Sequence, residues 1–157
     1  MLAGALRVAV TFLPQATSTS IGLEWLYLVI DIALAFSLVG IYAYQRAESG
    51  LLGFIGFVIA LAGTESIGGP DGNIGAVDVY RAGAALIGIG MLVFAAGSLK
   101  AAKLPRYVPA LWIASTVIGL ASFAGVGGAL PFQLAGIAFG LGFAGAGLHL
   151  WRDLDPD

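Results

Sequence analysis

The chain contains no cysteine, which removes disulfides, thiolate metal ligands, iron–sulfur clusters and thiol redox chemistry together. Histidine occurs once, at His149. That leaves no histidine cluster for a di-iron centre and a single imidazole for any hydrolytic triad. Charge is also scarce: Asp, Glu, Lys and Arg supply 10% of the 157 residues, against about 25% in a soluble domain. With 59% hydrophobic residues and a mean hydropathy of +0.97, there is too little polar side chain to cover a water-facing surface. A net charge of −2 argues against a nucleic-acid partner. The chain reads as an integral membrane protein.

Glycine, at 24 residues, is about twice its usual share. In water it would weaken every helix. Between helices in lipid it lets backbones approach closely.

Apolar runs over 22–44, 50–67, 79–99, 108–124 and 132–151 are each near the ~20 residues that cross a ~30 Å hydrocarbon core. The expected architecture is an all-α, polytopic transmembrane bundle of about five spans over 21–152. Before it come an N-terminal helix and connector (1–20), and after it an acidic tail (153–157). Residues Met1–Leu13 are broken by Arg7 and stopped by Pro14. Leu2, Leu6, Val10 and Leu13 share one helical face with Arg7 and Thr11 opposite. That favours a helix lying in the outer interface over a short sixth span with Arg7 snorkelling. Of the seven bases, Arg46, Lys100, Lys103, Arg106 and Arg152 fall on one side of a five-span arrangement, and Arg7 and Arg81 on the other. By the positive-inside rule the C-terminus is cytoplasmic, in a cell membrane.

The first span carries a polar stripe. Glu24, Asp31 and Gln45 stand seven and then fourteen residues apart, with Leu38 in the remaining slot. Seven residues are almost two helical turns, so these positions share a face. A carboxylate at depth is costly, about 2.5–3.5 kcal/mol on insertion scales at the bilayer centre, so this face should look into a bundle. Asp31 is then either a structural acid paired with a neighbour or a proton- or cation-coupling group. Arg81, at the outer end of the third span, is the expected partner, with Glu65 competing for it.

Lys100, Lys103 and Arg106 form a basic cluster suited to lipid headgroups. Asp71 and Asn73 faintly resemble a calcium loop but lack its terminal glutamate, so the segment reads as a turn. His149, with Gly145 one turn earlier, has the spacing of an axial ligand to a chlorophyll-type pigment. The plainer reading is an interfacial contact, and no cofactor is expected beyond such a pigment or a lipid. In the last span Gly136, Gly140 and Ala144 recur every four residues, as do Ala138, Gly142 and Ala146. Two small faces suggest a helix gripped on both sides. Leu86–Lys100 aligns without gaps to Ala138–Arg152, matching Gly88 with Gly140 and Gly90 with Gly142. That echo suggests a duplicated helical hairpin.

VGIYAYQRAESGLLGFIGFVIALAGT, KLPRYVPAL and GLHLWRD resemble a widespread group of small prokaryotic multi-pass membrane proteins of unassigned function. The resemblance covers about Val39–Arg152. It implies a multi-pass helical fold and brings no activity with it. The group tends to have a full first span where this chain has thirteen mostly apolar residues.

Three functional readings follow. The first is a non-catalytic accessory subunit of a larger membrane complex of respiratory or photosynthetic type, packed on partners through the Gly136–Ala146 faces. The second is a small proton- or cation-coupled transporter using Asp31, as a homo-oligomer. The third is a pigment- or haem-associated protein through His149. An enzyme is not expected.

Overall fold

A computed structural model describes residues 1–13, 21–67, 73–74, 77–127 and 130–154. The helices are α1 (Leu2–Val10), α2 (Ile21–Ile67), α3 (Val79–Ala101), α4 (Tyr107–Phe123) and α5 (Leu130–Leu154), with a short hairpin of β1 (Asn73–Ile74) and β2 (Val77–Asp78) before α3. The antiparallel register pairs Asn73 with Asp78 and Ile74 with Val77. The calcium-like turn and the 15–20 connector lie largely outside the described residues. By length and composition α2, α3 and α5 can each cross a membrane. α5 continues through Asp153 and Leu154, beyond the boundary expected at residue 152.

At 47 residues, α2 would be about 70 Å long if straight. It is not straight. Gly50 takes φ 60° and ψ −152°, a conformation open to glycine and strained for any residue with a Cβ. The chain reverses there: the Tyr42 and Phe57 rings stack at 4.4 Å and 10°, although fifteen helical residues would separate them by about 22 Å. We call 21–49 the first arm and 51–67 the second.

The second arm packs antiparallel on α3 with backbones in contact. A Cβ at Gly56 would sit 2.6 Å from Phe94 Cα, one at Gly90 2.6 Å from Ala60 Cα, and one at Gly97 2.7 Å from Gly53 Cα. α3 is joined to α4 by a left-handed Ala102 (φ 52°), whose N–H donates to the Ser98 carbonyl. On α4, Trp112 is fully buried between Phe94 of α3 and Phe143 of α5, at ring separations of 5.6 and 5.5 Å. This trio and the buried first-arm residues Ile30, Leu34, Leu38 and Ile41 belong to one core.

α1 departs from the expected interfacial helix. It lies alongside α5 and antiparallel to it. Met1 sits at Gly147, Gly4 against the backbone of Gly140 and Ala144, Val8 at Gly140 and Thr11 at Gly136. Its other face turns to the first arm, where the Tyr27 hydroxyl donates to the Val10 carbonyl at 3.4 Å. Arg7 was read as the water-facing side, but in a membrane the pattern inverts. Leu2 and Phe12 are 71% and 70% exposed, whereas Ala3, Gly4 and Val10 are buried. The six helical segments thus close a ring: first arm, second arm, α3, α4, α5, α1.

Gly50 and Gly40 separate conformational from steric need, because a Cβ at either would meet nothing within 4 Å. Gly50→Ala should destabilise by about 1–3 kcal/mol through its backbone alone. Gly40→Ala, at ordinary helical angles, should stabilise by up to about 1 kcal/mol. Thermal unfolding of both variants in one detergent checks the pair; equal shifts would remove the turn at Gly50 as the cause.

Candidate functional site

The stripe runs from exposed to fully buried along the first arm. Glu24 is exposed, Asp31 half-buried, and Leu38 and Gln45 are buried at 2% and 0%. Glu24 therefore does not face protein, contrary to expectation. Arg7 is the cation of α1, the helix packed against this part of the first arm. Arg7 and Val10 lie on the α1 face toward the first arm, and Tyr27 and Asp31, one turn apart, lie on the arm's face toward α1. No ion pair within 4.0 Å joins Arg7 to Asp31 among the described residues, where the pairs are Arg81–Asp78 and Lys103–Glu48.

Arg81 is elsewhere. Its Nε lies 3.5 Å from Asp78 Oδ2, and its backbone N–H donates to Asp78 Oδ1 at 3.0 Å, so both groups close the first turn of α3. Asp78 is the N-cap, a role that satisfies an otherwise free helix amide. Glu65 is exposed near the same end and makes no ion pair with Arg81 among the described residues. The expected Asp31–Arg81 pairing is therefore not formed: Arg81 is taken up by Asp78, and Asp31 has no ion-pair partner within 4.0 Å among the described residues.

Gln45 makes a different contact. Its Nε2 donates to Ser98 Oγ at 2.7 Å, and Ser98 Oγ donates to the Phe94 carbonyl at 2.9 Å. Because the serine hydrogen is committed to the carbonyl, the glutamine must be the donor, which fixes its amide orientation. Gln45 Oε1 and Ser49 Oγ are left buried without a partner among the described residues. Ser49 lies one turn from Gln45, beside the Gly50 turn, so the buried polar groups gather where the chain reverses. Other hydroxyls turn back on their own helices: Ser37 to Ala33, Thr64 to Ala60 and Ser66 to Ala62, each to the carbonyl four residues earlier.

The basic end carries a second network. Lys103 Nζ lies 3.2 Å from Glu48 Oε1 and over the Tyr44 ring at 5.9 Å, and the Tyr44 hydroxyl donates to Asp153 Oδ2 at 2.8 Å. His149 Nε2 sits 2.9 Å from the Lys103 carbonyl, and its ring meets Tyr44 edge-on at 6.2 Å. These contacts gather Arg46, Lys100, Lys103, Arg106 and Arg152 at one end of the bundle. A Cβ at Gly145 would lie 2.8 Å from Tyr107 Cε2, so Tyr107 fills the space that the pigment reading assigned to a macrocycle. Among the described residues no group of three metal-ligating side chains comes together.

The small faces of α5 are gripped on both sides, and the grip comes from the chain itself. Gly136, Gly140 and Ala144 meet α1, while a Cβ at Gly142 would lie 2.6 Å from Trp112 Cδ1 and Ser115 Oγ of α4 donates to the Ala135 carbonyl at 2.8 Å. Ala138 and Ala146 are buried. These faces are consumed internally, which corrects their reading as a surface for another subunit.

Sequence reasoning missed Arg7, Ser49 and Ser98, and also the small stripe Gly53, Gly56, Ala60 and Gly63 on the second arm. Its seven-residue repeat, 53 to 60 and 56 to 63, was the signal.

Arg7 and Asp31 sit on facing helices without a direct ion pair, so any coupling between them acts through space. Asp31→Leu and Arg7→Leu should each destabilise, Asp31→Asn should cost less, and the double leucine variant should recover about 0.5–3 kcal/mol of coupling. Denaturation of the four proteins in mixed micelles measures it. Strict additivity would show that the two side chains act independently.

The chain matches no family model, and no curated protein or solved structure is similar to it in the same comparisons.

Proposed function

We propose that this protein is a non-catalytic accessory or structural subunit of a membrane assembly, acting through its shape and outer apolar surface. One observation carries the reading. Leu38, 2% exposed, stands between Asp31 and Gln45, with Leu34 and Ile41 buried beside it. Two polar positions separated by packed apolar side chains do not make a path for an ion. Gln45 is also tied to Ser98 and thus occupied structurally.

The surface offered to a partner is then the outside of α2. Phe36, Val39, Leu51, Phe54, Ile55 and Val58 are all exposed there, Phe36 at 74% and Leu51 at 73%. Apolar residues in this position meet lipid or another membrane protein. The transporter reading retains one supporting feature, the half-buried Asp31 carboxyl, since intramembrane charges often mark proton routes.

In this reading the bundle sits in the cytoplasmic membrane with five crossings and its basic end inside. α1 adds a short sixth segment beside α5, with Met1 toward the cytoplasm. The absence of cysteine makes orientation simple to measure. Lys100→Cys should react with an impermeant maleimide only after cells are opened, and Tyr80→Cys in intact cells. The reverse pattern overturns the orientation.

Function is tested by purification in mild detergent followed by native mass spectrometry and by flux in liposomes. The expected outcome is stable, stoichiometric membrane partners and no Asp31-dependent proton or cation flux. A partner-free protein that moves protons in wild type but not in Asp31→Asn refutes the proposal and favours the transporter.

A further inference from the structure

A groove of about 500 Å³ lies between the first arm and the last turns of α5. Ile41 and Phe143, each 2% exposed, are the buried part of its lining; Ser37 and Gly40 lie on one wall, Leu150 and Trp151 on the other. Ser37 donates its hydroxyl hydrogen to the Ala33 carbonyl, so it presents no free donor to an occupant. Met1, ahead of α1, and Gly147 complete the mainly apolar lining, which reaches the basic end through Leu154.

Gly40 is the feature that calls for an occupant. Glycine inside a helix is unfavourable, and most helical glycines in this fold are explained by a close neighbour, Gly22 in the first turn of the first arm and Gly119 of α4 being exceptions. Gly53, Gly56, Gly63, Gly83, Gly90 and Gly97 bring the second arm and α3 together. At Gly40 a Cβ would meet nothing within 4 Å, and the residue is exposed in the middle of the first arm. Its effect is to keep the groove open to something outside the chain.

Size and charge indicate what that is. A single acyl chain is slender enough. At the groove's end stands Trp151, 68% exposed, an aromatic suited to the membrane interface. It is followed by Arg152, which has no ion-pair partner among the described residues. Lys100, Arg106 and Arg46 are exposed at the same end and, with Lys103 and Arg152, outnumber the described acids there, Glu48 and Asp153, so the local field favours an anionic headgroup. We infer that this groove binds one acyl chain of an anionic phospholipid, with the phosphate held at the basic end of the bundle.

The test uses the full-length protein in nanodiscs containing equal parts phosphatidylglycerol and phosphatidylcholine, followed by native mass spectrometry after delipidation. Wild type should retain one phosphatidylglycerol. Gly40→Leu, whose Cβ has open space and whose side chain projects into the groove, should lower retention at least tenfold while leaving the melting temperature within a few degrees. Arg152→Gln should reduce the preference for phosphatidylglycerol over phosphatidylcholine. A second measurement needs no groove-filling variant. Trp151 fluorescence, isolated by comparison with Trp151→Phe, should be quenched more by phosphatidylglycerol brominated on its chains than by the phosphatidylcholine equivalent. Equal quenching by the two lipids overturns the proposal. So does undiminished retention in Gly40→Leu, or capture of a polypeptide instead of lipid by a photocrosslinker at Gly40→Cys.

Discussion

Close approach of helix backbones is the constraint on which this fold depends. Lipid tails are as apolar as leucine, so burying leucine between membrane helices yields little, and attraction must come from tight packing and hydrogen bonds. The second arm and α3 meet this demand with glycine opposite backbone at Gly56, Gly63, Gly90 and Gly97. A methyl group at any of these would overlap main-chain atoms, which cannot move aside as a side chain can. The positions of Phe94 and Ser98 follow from that contact. Phe94 reaches Trp112 on α4, and Ser98 reaches Gln45 on the first arm. One close-packed pair therefore orients the helices on both sides of it.

Polar groups add specificity to that packing. A serine or threonine that bonds its own helix is neutral toward its neighbours, and Ser37, Thr64 and Ser66 behave in this way. Gln45 cannot, because its amide is too long to be satisfied locally, and it links two helices instead. The Tyr27 hydroxyl does the same between the first arm and α1, donating to the Val10 carbonyl. In a low dielectric such groups penalise wrong arrangements more than they stabilise the right one. They act as registration marks at both ends of the first arm.

The class of fold was legible because it depends on sums: few charges, long apolar runs and bases collected on one side. Helix positions were legible too. The break between the runs expected at 22–44 and 50–67 falls at Gly50, and the runs expected at 79–99 and 132–151 lie within α3 and α5. What each face meets was not legible. Arg7 looked solvent-facing because soluble amphipathicity places charge outward, while here the exposed residues are Leu2 and Phe12. Arg81 looked available to Asp31 because its capping contact with Asp78 lies within its own helix turn. The Gly136–Ala146 faces looked like an external surface because sequence spacing marks a helix as packed without saying on what. Pairwise geometry, unlike composition, is a property of two segments at once.

The echo between Leu86–Lys100 and Ala138–Arg152 has a counterpart in that geometry. In each helix the second glycine faces the helix just before it in sequence: Gly90 meets Ala60 of the second arm, and Gly142 meets Trp112 of α4. The first glycine of each faces the next segment of the ring. Gly88 meets Thr116 of α4, and Gly140 meets Gly4 and Val8 of α1. The two hairpins, second arm with α3 and α4 with α5, thus use corresponding positions for corresponding contacts. α1 stands to α5 as α4 stands to α3, although it comes first in the chain. A ring built this way needs a segment in the α1 position to cover Gly140, because an uncovered glycine face on a lipid-exposed helix forfeits the packing that holds such helices together. The short N-terminal helix is accordingly drawn alongside α5, where its Gly4 lets the two backbones meet.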